Sequence, residues 1–296
     1  MPIVYGDITT AMVKQYNANI AMLSQQKQSR LSPYVRKESQ HSEYEFYDAV
    51  GPTEAQAKGA RNSDTPLMET PHTRRRVHCA PYNWATLVDN TDKLRMITDP
   101  TNVYAVNANA AFNRSRDRIL LAAALGVAYA GKEGEIEVPF PSEQVVGIQG
   151  SGSTDVGLTI DKLILAKEMF DKAEVDENEP RFLAVSAHQV SNLLRATEVT
   201  NADYNTVKAL VAGQVDTFMG FKFIRTELVK WASNVRHCVA WVPSGLLLAS
   251  AEETTTRITE RNDKNHAVQI YVEMDLGATR MEEVKVIDIL CQEVIA

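Results

Sequence analysis

Apolar residues recur along this chain at two periods, and the places where they do so predict most of its elements. Ile8, Met12, Tyr16, Ile20 and Leu23 are spaced by four, four, four and three, one stripe on a helix that stops before Pro33. Residues 43–50 are rich in aromatics, strand-like and ended by Gly51-Pro52; a second strand is predicted at 73–79. Between them runs a polar, small-residue stretch, 53–71, punctuated by Gly59 and Pro66. A structureless excursion of about twenty residues is rare inside a compact domain and signals function or a binding loop. Asp99-Pro100 then places an N-cap and a first-turn proline, and neither glycine nor proline follows until Gly126. The resulting helix over 100–125 would be about 38 Å long. Tyr104, Ala108, Ala111, Phe112, Ser115, Ile119, Ala122 and Leu125 keep one face of it, whereas the charged residues between Asn113 and Arg118 point part of its length at solvent or a neighbour.

Further on, the pattern predicts a helix over 160–175 with Leu163, Ala166, Phe170 and Ala173 inward, and a buried strand over 181–187. Ser186 with Gln189 reads as a capping box for a short helix through Arg195. Another helix is expected over 201–211. Strands follow at 215–219, 221–226, 237–242, 267–274 and 284–290. Helices and strands are segregated rather than alternating, so the fold class is α+β, and no internal repeat is present.

At 296 residues, 44% hydrophobic and 23% charged, the chain has the makings of one large or two modest domains. The projecting strands and the long helix look too extended to bury themselves against what remains, so copies of the same chain are expected to complete the core. Arg74, Arg75 and Arg76 sharpen this: three arginines in a strand put charge on both faces, and neither face then suits a private core. Arginine favours interfaces with carboxylates. The plain alternative is an exposed hairpin whose charges discourage edge pairing. The net charge of −7 hides an asymmetry, because residues 8–37 carry +5 and no acid, leaving −12 elsewhere. A basic arm on an acidic body suits an acidic surface, a neighbouring subunit or nucleic acid; a solvated helix face would look the same.

No secretory signal opens the sequence, and the longest apolar run, 119–130, is too short for a bilayer, so no membrane role is expected. Cys79, Cys238 and Cys291 have no motif spacing, which points away from a disulfide framework and toward a reducing compartment. Phosphate-loop, dinucleotide, nucleophile-elbow and zinc-helix motifs are missing. His78-Cys79 and His237-Cys238 could meet around zinc, but neighbours on a strand point to opposite faces. The acids between Glu168 and Glu179 lack calcium-loop spacing and read as a solvated helix face. Ser186 beside His188 is explained by capping. Trp84 is expected to seat the hairpin base, with Trp231 and Trp241 in packing roles. No catalytic residue, cofactor or metal site is assigned.

Several stretches resemble tailed-bacteriophage major capsid proteins: Arg74-Arg75-Arg76-Val77, Tyr82-Asn83-Trp84-Ala85-Thr86-Leu87-Val88-Asp89, and Asp92-Lys93-Leu94-Arg95-Met96-Ile97-Thr98-Asp99-Pro100. Ala202-Asp203-Tyr204-Asn205, Val207-Lys208-Ala209-Leu210, Gly220-Phe221-Lys222-Phe223-Ile224 and Leu276-Gly277-Ala278-Thr279-Arg280 continue the likeness in order, across about residues 70–290. The resemblance implies a Hong Kong 97-like fold. Its parts would be an N-terminal arm (1–42), an extended β-hairpin (43–81), a peripheral domain (82–179) holding the spine helix 100–125, an axial domain (180–262), and a return to the peripheral domain (263–296). It also implies self-assembly as hexamers and pentamers into an icosahedral head that encloses double-stranded DNA, built in the host cytoplasm and ending in the virion. Tyr44, Phe46, Tyr47, Arg74, Arg75 and Arg76 of the hairpin, with Met12 and Tyr16 of the arm, would then contact adjacent subunits. Implied partners are a portal protein, a separate scaffolding protein (the spine helix leaves no room before it for a fused scaffold) and, with less to support it, a cement or decoration protein. Some relatives cross-link a hairpin lysine to a neighbour. Lys58 is the only lysine between residues 38 and 92, although an ordinary surface lysine is the plainer reading. An encapsulin-like compartment of the same fold, or an α+β enzyme with an unrecognised site, are the competing readings.

Overall fold

The computed structural model describes residues 25–39, 42–57, 59, 61, 67–89, 101–195, 217–250 and 255–293. The expected helix at 201–211, the arm residues Met12 and Tyr16, the Asp99-Pro100 cap and Lys58 lie outside them. In chain order the strands are β1 (Arg36–Ser39), β2 (Tyr44–Val50), β3 (His72–His78) and β4 (Ala80–Val88), followed by helix α1 (Thr101–Leu125). Then come β5 (Ala128–Ala130), β6 (Ile136–Val138), β7 (Val145–Val146), α2 (Ile160–Lys172), β8 (Arg181–Val185) and α3 (Ala187–Arg195). The last stretch holds β9 (Thr217–Phe218), β10 (Phe221–Arg225), β11 (Trp231–Ala232), β12 (Val235–Trp241), β13 (Leu246–Ser250), β14 (Thr255–Arg261), β15 (Ala267–Arg280) and β16 (Val286–Gln292). The fold is α+β, as the pattern predicted.

A seven-stranded sheet, β7-β16-β12-β8-β10-β9 with β11 beside β12, forms the best-buried part of the chain. Its central strands β8, β12 and β16 are mostly apolar and buried because both faces are covered. In β8, Leu183 and Val185 join a core with Leu163, Ala166 and Phe170 of α2 and Val190 and Leu193 of α3. Phe182 and Ala184, one residue out of phase, enter a second core with Phe112, Leu120 and Ala124 of α1. β15 organises the second sheet. It pairs with β4 from Val268 to Leu276, with β14 from Ala267 to Glu273 and with β13 from Gly277 to Arg280. β1 adds to β13 in parallel. The third sheet, β2-β3-β5-β6, carries the hairpin.

Three expectations need correcting. The long helix does bury itself: Ala108, Ala110, Phe112, Asp117, Leu120, Leu121 and Ala124 are all buried, against β15 and the arm root. Its inward stripe matches the sequence reading at Ala108 and Phe112 but not at Ala122, which is exposed. The stripe turns through Asp117 because this charge, read as solvent-facing, is covered by the chain before β1. The capping box is open: Ser186 Oγ accepts from Gln189 N at 3.4 Å, but the Gln189 side chain reaches Leu158 N, Gln292 O and Glu293 instead. β1, β4 and β14 were missed, since polar or alternating strands look like loop until their partners are known, β13 for β1 and β15 for β4 and β14.

Candidate assembly surface

The projecting hairpin has two chemically different faces. Its register pairs Tyr44 with His78, Phe46 with Arg76 and Asp48 with Arg74, while Glu45 faces Val77 and Tyr47 faces Arg75. Directly opposed residues share a face, so the first three pairs form an outer face and the last two an inner one.

On the outer face the arginines are held by rings and acids of their own sheet. Arg74 gives a two-pronged contact to Asp48 at 2.6 and 3.0 Å and lies 5.5 Å from the Phe46 ring centroid. The same hydrogen bond holds the Asp48 carboxyl below its ordinary pKa. Arg76 sits between Tyr44 and Tyr129 of β5, at 5.2 and 4.9 Å. Tyr44 also stacks on His78 at 4.8 Å. These contacts fix long, flexible side chains in advance, which lowers the ordering cost of binding anything to them. Tyr44 is 44% and Phe46 38% exposed.

The inner face grips the body. Val77 and Cys79 pack with Leu247, Ala249 and Met281, and Tyr47 lies against that cluster. Burial first, and then the charges of Glu45 and Glu38, push the Tyr47 phenol up to about 12, so it stays protonated at neutral pH. Arg75 is buried: its Nε donates to Met281 O at 3.1 Å and its Nη2 reaches both oxygens of Glu283 at 2.6 and 2.8 Å. The expectation that neither face of the arginine strand can be buried in its own chain is therefore wrong for Arg75, because Glu283, some 200 residues later, supplies its carboxylate. Gly277 makes this seat close: a Cβ there would lie 2.5 Å from His78 O. Beyond the strands, the described residues 52–57, 59, 61 and 67–71 are all exposed and carry no helix or strand.

A second cluster of contacts holds residues 25–31 to α1. Asp117, with no exposed surface, accepts from Ser29 Oγ at 2.5 Å, Arg30 N at 3.0 Å, Leu31 N at 3.2 Å and Gln26 Nε2. Asn113 donates to Lys27 O at 2.9 Å, and Arg114 to Gln25 Oε1 at 2.7 Å and Gln26 O at 3.1 Å. A polar stripe on α1 thus reads the backbone of residues 25–31, after which Leu31 and Val35 enter the core. Sequence reasoning missed Asp117; four donors converging on one carboxylate are visible only in three dimensions.

The other candidate chemistry is used internally. Cys79 and Cys238 belong to different cores, so the two His-Cys pairs do not meet. Among the described residues no group of three or more His, Cys, Asp or Glu could hold a metal ion. Ser186 Oγ donates to Glu293 at 2.8 Å. Trp84 lies in β4, opposite Val272 of β15, and Trp241 is buried with its Nε1 donating to Tyr34 O at 3.0 Å.

A family model described as phage capsid protein matches residues 8–293. The chain belongs to that family. Among solved structures, the capsid of Ralstonia phage GP4 is similar at TM-score 0.74 and 10% identity, covering 100% of this chain and 98% of that one. The capsid of the cyanophage P-SCSP1u has TM-score 0.70 and 11% identity, covering 99% and 97%. The head of Helicobacter pylori bacteriophage KHP40 gives TM-score 0.70 and 12% identity over 98% and 99%. No curated protein matches the chain. Fold and family together make this a structural protein of the virion, a major capsid protein whose copies build the head shell.

Proposed function

We propose that the outer face of the hairpin and the N-terminal arm are the surfaces by which adjacent copies hold one another, as hexamers and pentamers, in a shell around double-stranded DNA. The outer face carries this reading. Two exposed rings and two arginines are held ready on strands whose far ends, at Val50, His72 and Thr73, are exposed. Such a surface combines the aromatic and arginine anchors that dominate protein interfaces, and a neighbour's acidic body is a fitting partner for it. Arg74 and Arg76 have the outward role; Arg75 supports the hairpin from beneath.

In the Hong Kong 97-type arrangement this implies, residues 1–42 are the arm, 43–81 the hairpin, 82–179 and 263–296 the peripheral domain, and 180–262 the axial domain. DNA would be met without sequence preference at the inner wall. A scaffolding protein, a portal protein and a cement protein are the unlike partners of this reading, with assembly in the host cytoplasm. Lys58 would be the hairpin's candidate for covalent linkage.

The test is the double variant Phe46→Ala/Arg76→Ala. Expected are a thermal unfolding midpoint near that of the parent and a loss of particles in electron micrographs, with protein left as subunits or capsomers. Parent-like particles at parent-like yield would remove the outer face from assembly.

A further inference from the structure

At the base of the hairpin a single carboxylate serves two buried arginines. Glu283 sits in the short turn between β15 and β16 and binds Arg75 Nη2 through both oxygens. Its Oε1 also lies 3.8 Å from Arg280 Nε. Arg75 is 8% exposed and Arg280 0%. Each keeps one buried guanidinium nitrogen with no hydrogen-bond partner among the described residues: Nη1 of Arg75 and Nε of Arg280. Burial, which disfavours the charged form, lowers the Arg280 pKa; Glu283 opposes this and the charge of Arg75 adds to it.

The two arginines are not equally free. Arg280 Nη1 donates to Ala124 O at 3.0 Å and Gly126 O at 2.9 Å, and Nη2 to Val138 O at 3.1 Å. It also lies over Phe140, 5.1 Å from the ring centroid. Arg280 is therefore bolted to the end of α1 and to β6. Arg75 rides on β3, its side chain held to the body by Glu283 and Met281 O and its backbone paired with Ala130 of the short strand β5. It is also the outermost grip on the inner face, because in the next inward pair, Ala49 opposite Thr73, neither residue is buried. Each strand residue beyond it adds about 3.4 Å of unsupported lever. Remove the charge of Glu283 and two dehydrated cations face each other. The one that can leave is Arg75, and the hairpin leaves with it.

We propose that Glu283 is a positioning residue that fixes the angle at which the hairpin departs from the body, and so the geometry in which copies meet; the second clause rests on the hairpin's assembly role proposed above. The experiment uses full-length protein carrying spin labels at Val50→Cys at the end of β2 and Lys167→Cys on α2, both exposed. The three native cysteines are buried and should stay unlabelled. Pulsed electron–electron resonance on unassembled subunits should give one narrow distance in the parent, a broadened or displaced one in Glu283→Gln, and recovery in Glu283→Asp, which keeps the charge. Should Glu283→Gln fail to fold, Arg75→Gln opens the same joint from the hairpin side. An unchanged narrow distance in the folded neutral variant overturns the positioning role. Electron microscopy of the same proteins reads the second clause: mis-sized or open shells are expected with the glutamine. A broadened distance with regular shells would uphold the joint and overturn the hairpin's part in assembly.

Discussion

The seven-stranded sheet and the four-stranded hairpin sheet solve opposite problems with the same building unit. β8 is buried at all five positions, packed by α2 and α3 on one face and α1 on the other. β2 has no buried position along its seven residues. One sheet is finished within the subunit. The other leaves Tyr44 and Phe46 on a face that the described residues do not cover. If the hairpin's outer face serves assembly as proposed, stability and assembly have separate seats, and a substitution should disturb one far more than the other.

The largest expected effect falls on the finished sheet. Leu183→Ala removes a side chain with no exposed surface and should cost about 2–5 kcal/mol. Denaturant unfolding of the subunit would register it directly, and a small loss with failed assembly would blur the division between the two sheets.

Next comes Glu293, at the end of β16, which binds Arg236, Gln189 and Ser186. Burial alone would raise its pKa, but these hydrogen bonds outweigh it and bring the carboxyl from 4.5 to about 2. A depressed carboxylate stabilises the fold above its unfolded pKa and loses that contribution as pH falls, here between about 4.5 and about 2. The contribution is on the order of 3 kcal/mol. Acid titration of subunit stability should show a step in this window that Glu293→Gln abolishes; an unchanged titration would remove Glu293 from the acid response.

The smallest of the three concerns the arm root. Asp117→Asn leaves one acceptor oxygen where two were needed, with an expected local cost of about 1–3 kcal/mol. Trypsin should then cut faster after Lys27 and Arg30, while the global unfolding midpoint moves little. Equal cleavage rates would mean that Asn113 and Arg114 hold the root without it.

How much of this was legible depended on whether the signal was local. The hairpin strands, α1 and the buried strand β8 announced themselves by period and punctuation within a few residues. The resemblance carried the order of the parts. β1 was invisible because its partner lies far along the chain, Arg36 pairing with Leu247, and β14 because its polar, alternating residues read as loop although β15 follows close behind. The arginine strand was read as wholly outward, which fails at Arg75, since the acid that neutralises it comes from residue 283. Asp117 failed for the same reason: a charge in a helix looks solvent-facing until its donors are known.

β15 carries a mechanical consequence. Over its 14 residues it is hydrogen-bonded in turn to β4, β14 and β13, a continuous strut of about 45 Å. Tension along such a strand shears many ladder bonds at once instead of peeling them singly. A tile built this way resists stretching along one axis, and deformation of the wall is channelled into the joints between tiles.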